Sequence, residues 1–296
     1  MRTKKDPNYG MGIVTIVDPV AECVDRIGKA LTSSRVKLPI LPKAALQVIR
    51  LTNDPGVKAA EILAVIETDA TLAAQLLAQA RSPAYGLRQV DSLKAAAVRL
   101  GNNGLRDLVL LISMRMRVFH APGFEPQVRE IMRFAQVRSS LCKAVNRQSN
   151  DPSTQASMAA LLGDLGMATS LMLLAQLPRG ETPPTLSTAW RAAQESHESI
   201  GASVAKTWNL PGEIVSLIRH HHHVHVAKVA NHTIATILMS GAVAEHLDLG
   251  LRGPDGIQLQ EDKVEVNSAR RLLGLNTDKM KRIVAQARGM DLDAII

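Results

Sequence analysis

Apolar residues recur at helical spacing along nearly the whole chain, and strand-like alternation is almost absent. Asp18-Pro19 predicts a helix start, with Val20, Cys23, Val24, Ile27 and Leu31 as one stripe and Ser33-Ser34 as its end. The run LPILP (38–42) leads into a second helix carrying Ala45, Leu46 and Ile49, closed by the turn Asn53-Asp54-Pro55-Gly56. Ile62, Leu63 and Ile66 mark a third. Asp69 caps a fourth with Leu72, Leu76 and Leu77. After a loop at 82–86, Asp91 or Ser92 caps a helix that stops at Gly101, and residues 105–118 form another. Short connections predict a compact orthogonal bundle. Pro126 opens a long helix to about Ser149, with Ile131, Phe134, Ala135, Leu141, Cys142 and Val145 on its stripe. Residues 250–266 read as a loop, and the chain ends in helices carrying Leu272, Leu273, Leu275, Met280, Ile283 and Val284.

The stretch MAALLGDLGMATSLMLL (158–174) is apolar on every side, which predicts a single buried central helix reaching about Leu177. It is short and glycine-interrupted for a bilayer span. Asp164 is its one ionisable residue, and a buried carboxylate needs a cation, a metal or hydrogen-bond donors. Arg138 lies on the apolar stripe of the preceding helix, so it either snorkels out or faces Asp164. Further on, Ser196 reads as a helix cap. His197 and Gly201 form an HxxxG spacing, and the helix opened by Pro211 runs into His220, His221, His222 and His223. Imidazoles near a carboxylate suit Zn, Fe or Mn, although consecutive histidines on a helix point different ways and at most two can share a site.

Composition narrows the function classes. Hydrophobic residues make up 46% and aromatic residues 2%, so the core is built from Leu, Ile, Val, Ala and Met. The formal net charge of +8 permits an anionic partner, but no long basic block appears and the scarcity of aromatics argues against base stacking. Nucleic acid is therefore a disfavoured partner. Two cysteines without a CxxC suit a reducing cytoplasm and give neither a disulfide framework nor a zinc site. No signal peptide or membrane anchor is apparent, so the expected location is cytoplasmic.

The segments LPILPKAALQVIRLTNDPG, IETDATLAAQLLAQARSPAYG and VDSLKAAAVRLGNNGLRDLVL, in this order and spacing, resemble the HD-related output domain (HDOD) family. The resemblance runs from about Leu38 to Leu247. It implies an all-α fold of two packed helical subdomains: an extension with one helix (1–35), an HDOD domain (36–247) made of an N-terminal bundle (36–119) and an HD-like lobe (120–247), and C-terminal helices packed on it (248–296). The related HD phosphohydrolases hold metal through histidines and aspartates, and the carry-over here is partial. Arg138 falls at the first histidine, Gly163-Asp164 at the HD pair, His197 at the third position, His221 or His222 at the fourth, and Ala242 at the final aspartate. The resemblance thus implies a relict pocket of Arg138, Gly163, Asp164, His197, His221 and His222 without bound metal, cofactor or catalysis. The implied role is a bacterial regulatory module acting through a protein partner in signal transduction. The alternatives are a sensor of an anionic nucleotide, such as a cyclic dinucleotide, and a divergent metal-dependent phosphohydrolase. Two structural expectations follow: Arg138 pairs with Asp164, and the Tyr85 ring is at least half buried.

Overall fold

The computed structural model describes residues 18–33, 36–81, 90–115, 119–176, 182–226 and 229–290. The first half contains α1 (Pro19–Thr32), α2 (Lys43–Leu51), α3 (Ala59–Glu67), α4 (Ala70–Ala80) and α5 (Leu93–Arg115). The second contains α6 (Glu125–Gln148), α7 (Ala156–Gly163), α8 (Leu165–Ala175), α9 (Leu186–Thr207) and α10 (Gly212–Arg219). There follow a two-residue antiparallel hairpin of β1 (His225–Val226) and β2 (Val229–Ala230), then α11 (His232–His246), α12 (Lys263–Leu272) and α13 (Thr277–Arg288). The fold is all-α apart from that hairpin. Polar caps set many of the helix starts: Asp18 accepts from Val20 N–H, Asp69 from Leu72, Asn231 from Ile234 and Asn276 from Lys279.

Helices α2 to α5 pack on one another as the first group, and α6 to α11 as the second, with α8 against α9 and α6 against α7 and α11. Helix α5 joins the groups through α7 and α6. Trp208 ties them again, its indole N–H donating to Pro39 O at 2.8 Å. Helix α1 packs on α9 and α8, in the second group rather than on its sequence neighbours. Helices α12 and α13 rest on α11 and α6 respectively.

Several local expectations change. The central helix is two helices, α7 and α8, broken at Asp164 (φ −88°, ψ 10°). The flanking glycines explain the break: a Cβ on Gly166 would strike the carbonyl of His197, so α8 begins pressed against the backbone of α9. Residues 156–175 are apolar and long enough to cross a membrane by composition, yet they are almost wholly enclosed by the other helices. The stop expected at Gly101 is present: its φ of 66° and ψ of 174° are not helical and divide α5 into two helical segments at a kink. Ser196 is no cap. It lies inside α9, and its hydroxyl donates to Ala192 O. The histidine run lies beyond α10 rather than on it, because that helix ends at Arg219. Helix α12 begins inside the expected loop, where the Asp262 carboxylate accepts from Val264 and Glu265 N–H. Tyr85 lies outside the described residues.

Candidate functional site: a buried Arg–Asp pair ringed by histidines

Arg138 points inward from the middle of α6 because Phe134, Ala135, Leu141 and Cys142, its neighbours on the helix, are all core residues. It has no exposed surface. Its Nη2 lies 2.7 Å from Asp164 Oδ2, and its guanidinium sits 5.1 Å from the Phe134 ring centroid. The expected convergence of Arg138 and Asp164 is therefore present. The contact is an ion pair rather than an aligned hydrogen bond, since Asp164 Oδ2 and Arg138 Nε both lack hydrogen-bond partners. Gly163 makes the approach sterically feasible: a Cβ there would come within 2.5 Å of Arg138 Nη2 and 3.1 Å of the His221 ring. The glycine at the HD position thus leaves the room that the guanidinium fills.

Asp164 is 3% exposed. Burial alone would raise its pKa, but the Arg138 guanidinium outweighs burial and holds the carboxyl below the ordinary range. The turn after α10 sends His221 and His222 to this site, which a regular helix could not do with consecutive residues. His197 reaches it from α9. The donor atoms of Asp164, His197, His221 and His222 all lie within 4.8 Å of one another.

Hydrogen bonding fixes the ring tautomers. His221 Nδ1 faces Ile218 O at 2.8 Å, and a carbonyl only accepts, so Nδ1 carries the proton and Nε2 is bare. Burial, then the neighbouring His222, pushes the His221 pKa well down. Its 3.6 Å approach to Asp164 Oδ1 is thus a contact of neutral imidazole with carboxylate, not an ion pair. By the same argument His197 Nδ1 donates to Gln194 O, leaving Nε2 free to accept. His222 Nε2 lies 3.2 Å from that atom, and its Nδ1 lies 3.0 Å from Glu261 Oε2. Burial would lower His222, but Glu261 outweighs burial and raises it. A proton held on His222 completes a chain from Glu261 through His222 and His197 to the Gln194 carbonyl.

Glu261 is a site residue that the sequence does not reveal. It comes from the segment between α11 and α12, and its Oε1 lies 3.8 Å from Arg138 Nη1. Gly241 on α11 makes the space, since a Cβ there would collide with the Glu261 carboxylate. The segment is tied down by Arg133, which donates to Leu249 O and Gly250 O, and by Gln258, which donates to Glu245 O. The only sequence signals are a glycine in α11 and an acid in an expected loop. Ala242, the position aligned with a final aspartate, brings no acid, and Glu261 supplies a carboxylate from elsewhere.

Glu245 accepts from Glu261 N–H. Burial, then the charge of Glu261, raises its pKa to about 7. From about pH 4.5 to 7 the unfolded chain loses this proton while the folded chain keeps it, so stability falls as pH rises through that window. Because Glu245 is only partly buried, solvent screening reduces the effect to the order of 1 kcal/mol. Glu245→Gln is expected to flatten the slope and to be the more stable form at pH 8, as read by urea unfolding at several pH values. An unchanged slope would remove Glu245 as its source.

By distance the four donors suit one metal ion. By charge they do not, because the Asp164 carboxylate that would neutralise the ion is already paired with a fixed cation, and His221 and His197 contribute only neutral nitrogens.

The HDOD domain family model matches residues 38–224. An HDOD domain protein of unknown function from Geobacter sulfurreducens superposes with a TM-score of 0.67 at 20% identity, over 93% of this chain and 96% of that one. A candidate metal-dependent phosphohydrolase from Shewanella amazonensis gives 0.65 at 15% identity, over 95% and 100% of the two chains. A candidate signal transduction protein from Marinobacter aquaeolei gives 0.62 at 20% identity, over 96% of this chain and 66% of that one. An uncharacterized protein of Treponema pallidum is 27% identical over 224 residues, covering 71% of this chain and 43% of its own length. The present chain thus spans under half of that relative. With the family model covering more than half its length, the chain belongs to the HDOD domain family.

Proposed function

We propose that this chain is a non-catalytic signalling module that acts by binding a protein partner. The observation that carries the reading is the Arg138 guanidinium 2.7 Å from Asp164, with both side chains buried. A divalent ion in an HD-type site polarises a phosphate and activates water. A guanidinium can neutralise the carboxylate but has no coordination position to offer water. The similarity to a candidate signal transduction protein agrees with a regulatory role. An anionic nucleotide in the same pocket has weaker support, because Glu261 already sets a carboxylate against Arg138 and His222.

Elemental analysis of tag-free protein tests the non-catalytic part. The expected result is no stoichiometric Fe, Mn or Zn, with metal gained by Arg138→His and lost again when Asp164→Ala is added. About one equivalent of metal in the unmodified chain, lost on changing Asp164 or His197, would overturn it. The partner is tested by affinity capture from the host and reassembly from purified components. Failure to reassemble any captured complex counts against the interaction role.

A further inference from the structure

A second polar site lies away from the Arg138 cluster, in a cleft of about 470 Å³ between the two groups of helices. Its wall is formed by the turn after α2, the part of α5 beyond the Gly101 kink, the start of α7 and the start of α10. We propose that this cleft binds a free amino acid, with the ligand carboxylate on Arg106 and its ammonium between Asp54 and Glu213.

Arg106 is 1% exposed. Its Nε and Nη2 both donate to Asp107 Oδ1, at 3.0 and 2.8 Å, and Nη2 also donates to Thr154 O at 3.1 Å. Asp107 is held in turn by the Ser157 hydroxyl. Nη1 makes no hydrogen bond among the described residues, so one nitrogen of a rigidly held guanidinium is left over in a residue that lines the cleft. A charged donor fixed in this way is preorganised for a carboxylate oxygen. Three helix starts border the same space and add positive potential: α7, α10 and the half of α5 that begins after Gly101.

The cleft is not a plain anion site, because Asp54 and Glu213 also line it. Asp54 uses Oδ1 on Gly56 N–H, and Glu213 accepts from Gln155 Nε2 through Oε2, which leaves one oxygen of each carboxylate uncommitted. The Gln155 Oε1 is buried and lacks a partner, a further acceptor for an N–H group. A phosphate would be repelled by the two acids, and a simple cation would leave the Arg106 Nη1 donor without an acceptor. A ligand carrying one charge of each sign satisfies both, and the volume accommodates one such molecule. Clefts between packed subdomains are frequent ligand sites, and occupancy here would bridge the two helical groups.

The test is a thermal-shift and two-dimensional NMR titration of the full chain with individual L-amino acids. Sodium acetate, methylammonium chloride and inorganic phosphate serve as part-ligand probes. At least one amino acid is expected to raise the melting temperature saturably, with amide shifts at Asn102, Asn103 and Gln155, and to bind about tenfold more tightly than acetate. Changing Arg106 would strand buried Asp107, so the variants are Asp54→Asn and Glu213→Gln at exposed positions. Together they are expected to abolish the preference for the amino acid over acetate while the chain stays folded. The proposal is overturned if no amino acid exceeds acetate, if phosphate binds as well as any amino acid, or if the double variant keeps the preference.

Discussion

Arg138→Met is expected to destabilise the fold by about 3–5 kcal/mol, because it leaves the Asp164 carboxylate buried with no cation. Asp164 is 3% exposed, and the remaining groups near it cannot replace the guanidinium: His221 presents a bare Nε2, and Glu261 is itself an anion. The substitution also removes the contact with the Phe134 ring and the Nη2 bond to Ala160 O, which is long at 3.5 Å. Asp164→Asn alone strands the opposite charge, although Glu261 at 3.8 Å offers Arg138 a second, weaker counter-ion. The informative variant is the pair Arg138→Met with Asp164→Asn. It removes both charges at nearly constant volume and is expected to be clearly more stable than the sum of the two single losses predicts. Urea unfolding of the four proteins gives the coupling. Additive single effects would show that the 2.7 Å approach carries no energy and would remove the main support for a guanidinium in the role of a metal.

Gly166→Ala is expected to be at least as damaging, for an unrelated reason. The added methyl group would meet three backbone atoms, namely the His197 carbonyl oxygen, its carbon and the Gly201 nitrogen. A flexible side chain can rotate away, but two packed helices can only separate. Separating α8 from α9 opens the most heavily packed contact in the second group and moves His197 off His222. Overpacking in a core costs about 1–3 kcal/mol and more where backbone must shift, so a loss of about 3 kcal/mol or more is expected, or failure to accumulate as soluble protein. Gly28→Ala is the matching control. Gly28 lies exposed inside α1 with nothing near its would-be Cβ, and alanine there should stabilise by about 0.5–1 kcal/mol. A Gly166→Ala protein that unfolds at the same urea concentration as the original would show that α8 and α9 tolerate separation.

Part of the site is readable from the residues alone. Arg138 announces itself because a cation on an apolar stripe needs a partner or an exit, and Asp164 because it is the one charge in an apolar run. Both arguments use helical periodicity, a local property. His197 is located by its spacing to Gly201, and that glycine does lie against α8: a Cβ on Gly201 would come within 3.2 Å of Gly166 N. Glu261 escapes this reading because nothing local marks it. It sits 123 residues after Arg138 in a segment without periodicity, and only the packing of α12 on α11 carries it into the site. The histidine run is misplaced by periodicity for a related reason. The stripe of α10 gives no sign that the helix stops at Arg219, and only that stop lets two adjacent histidines face one point.

The sequence by itself determined the helical class, most helix starts, the identity of the core and the two charges set among apolar residues. Those features follow from apolar spacing and from capping residues, which act over a few positions. Tertiary structure alone decided the break of the central segment at Asp164, the burial of α1 against α8 and α9, the tautomers of the three histidines and the entry of Glu261. Each depends on which backbone carbonyl or glycine lies opposite a given side chain. Such contacts join residues dozens of positions apart, and no periodicity within one helix encodes them.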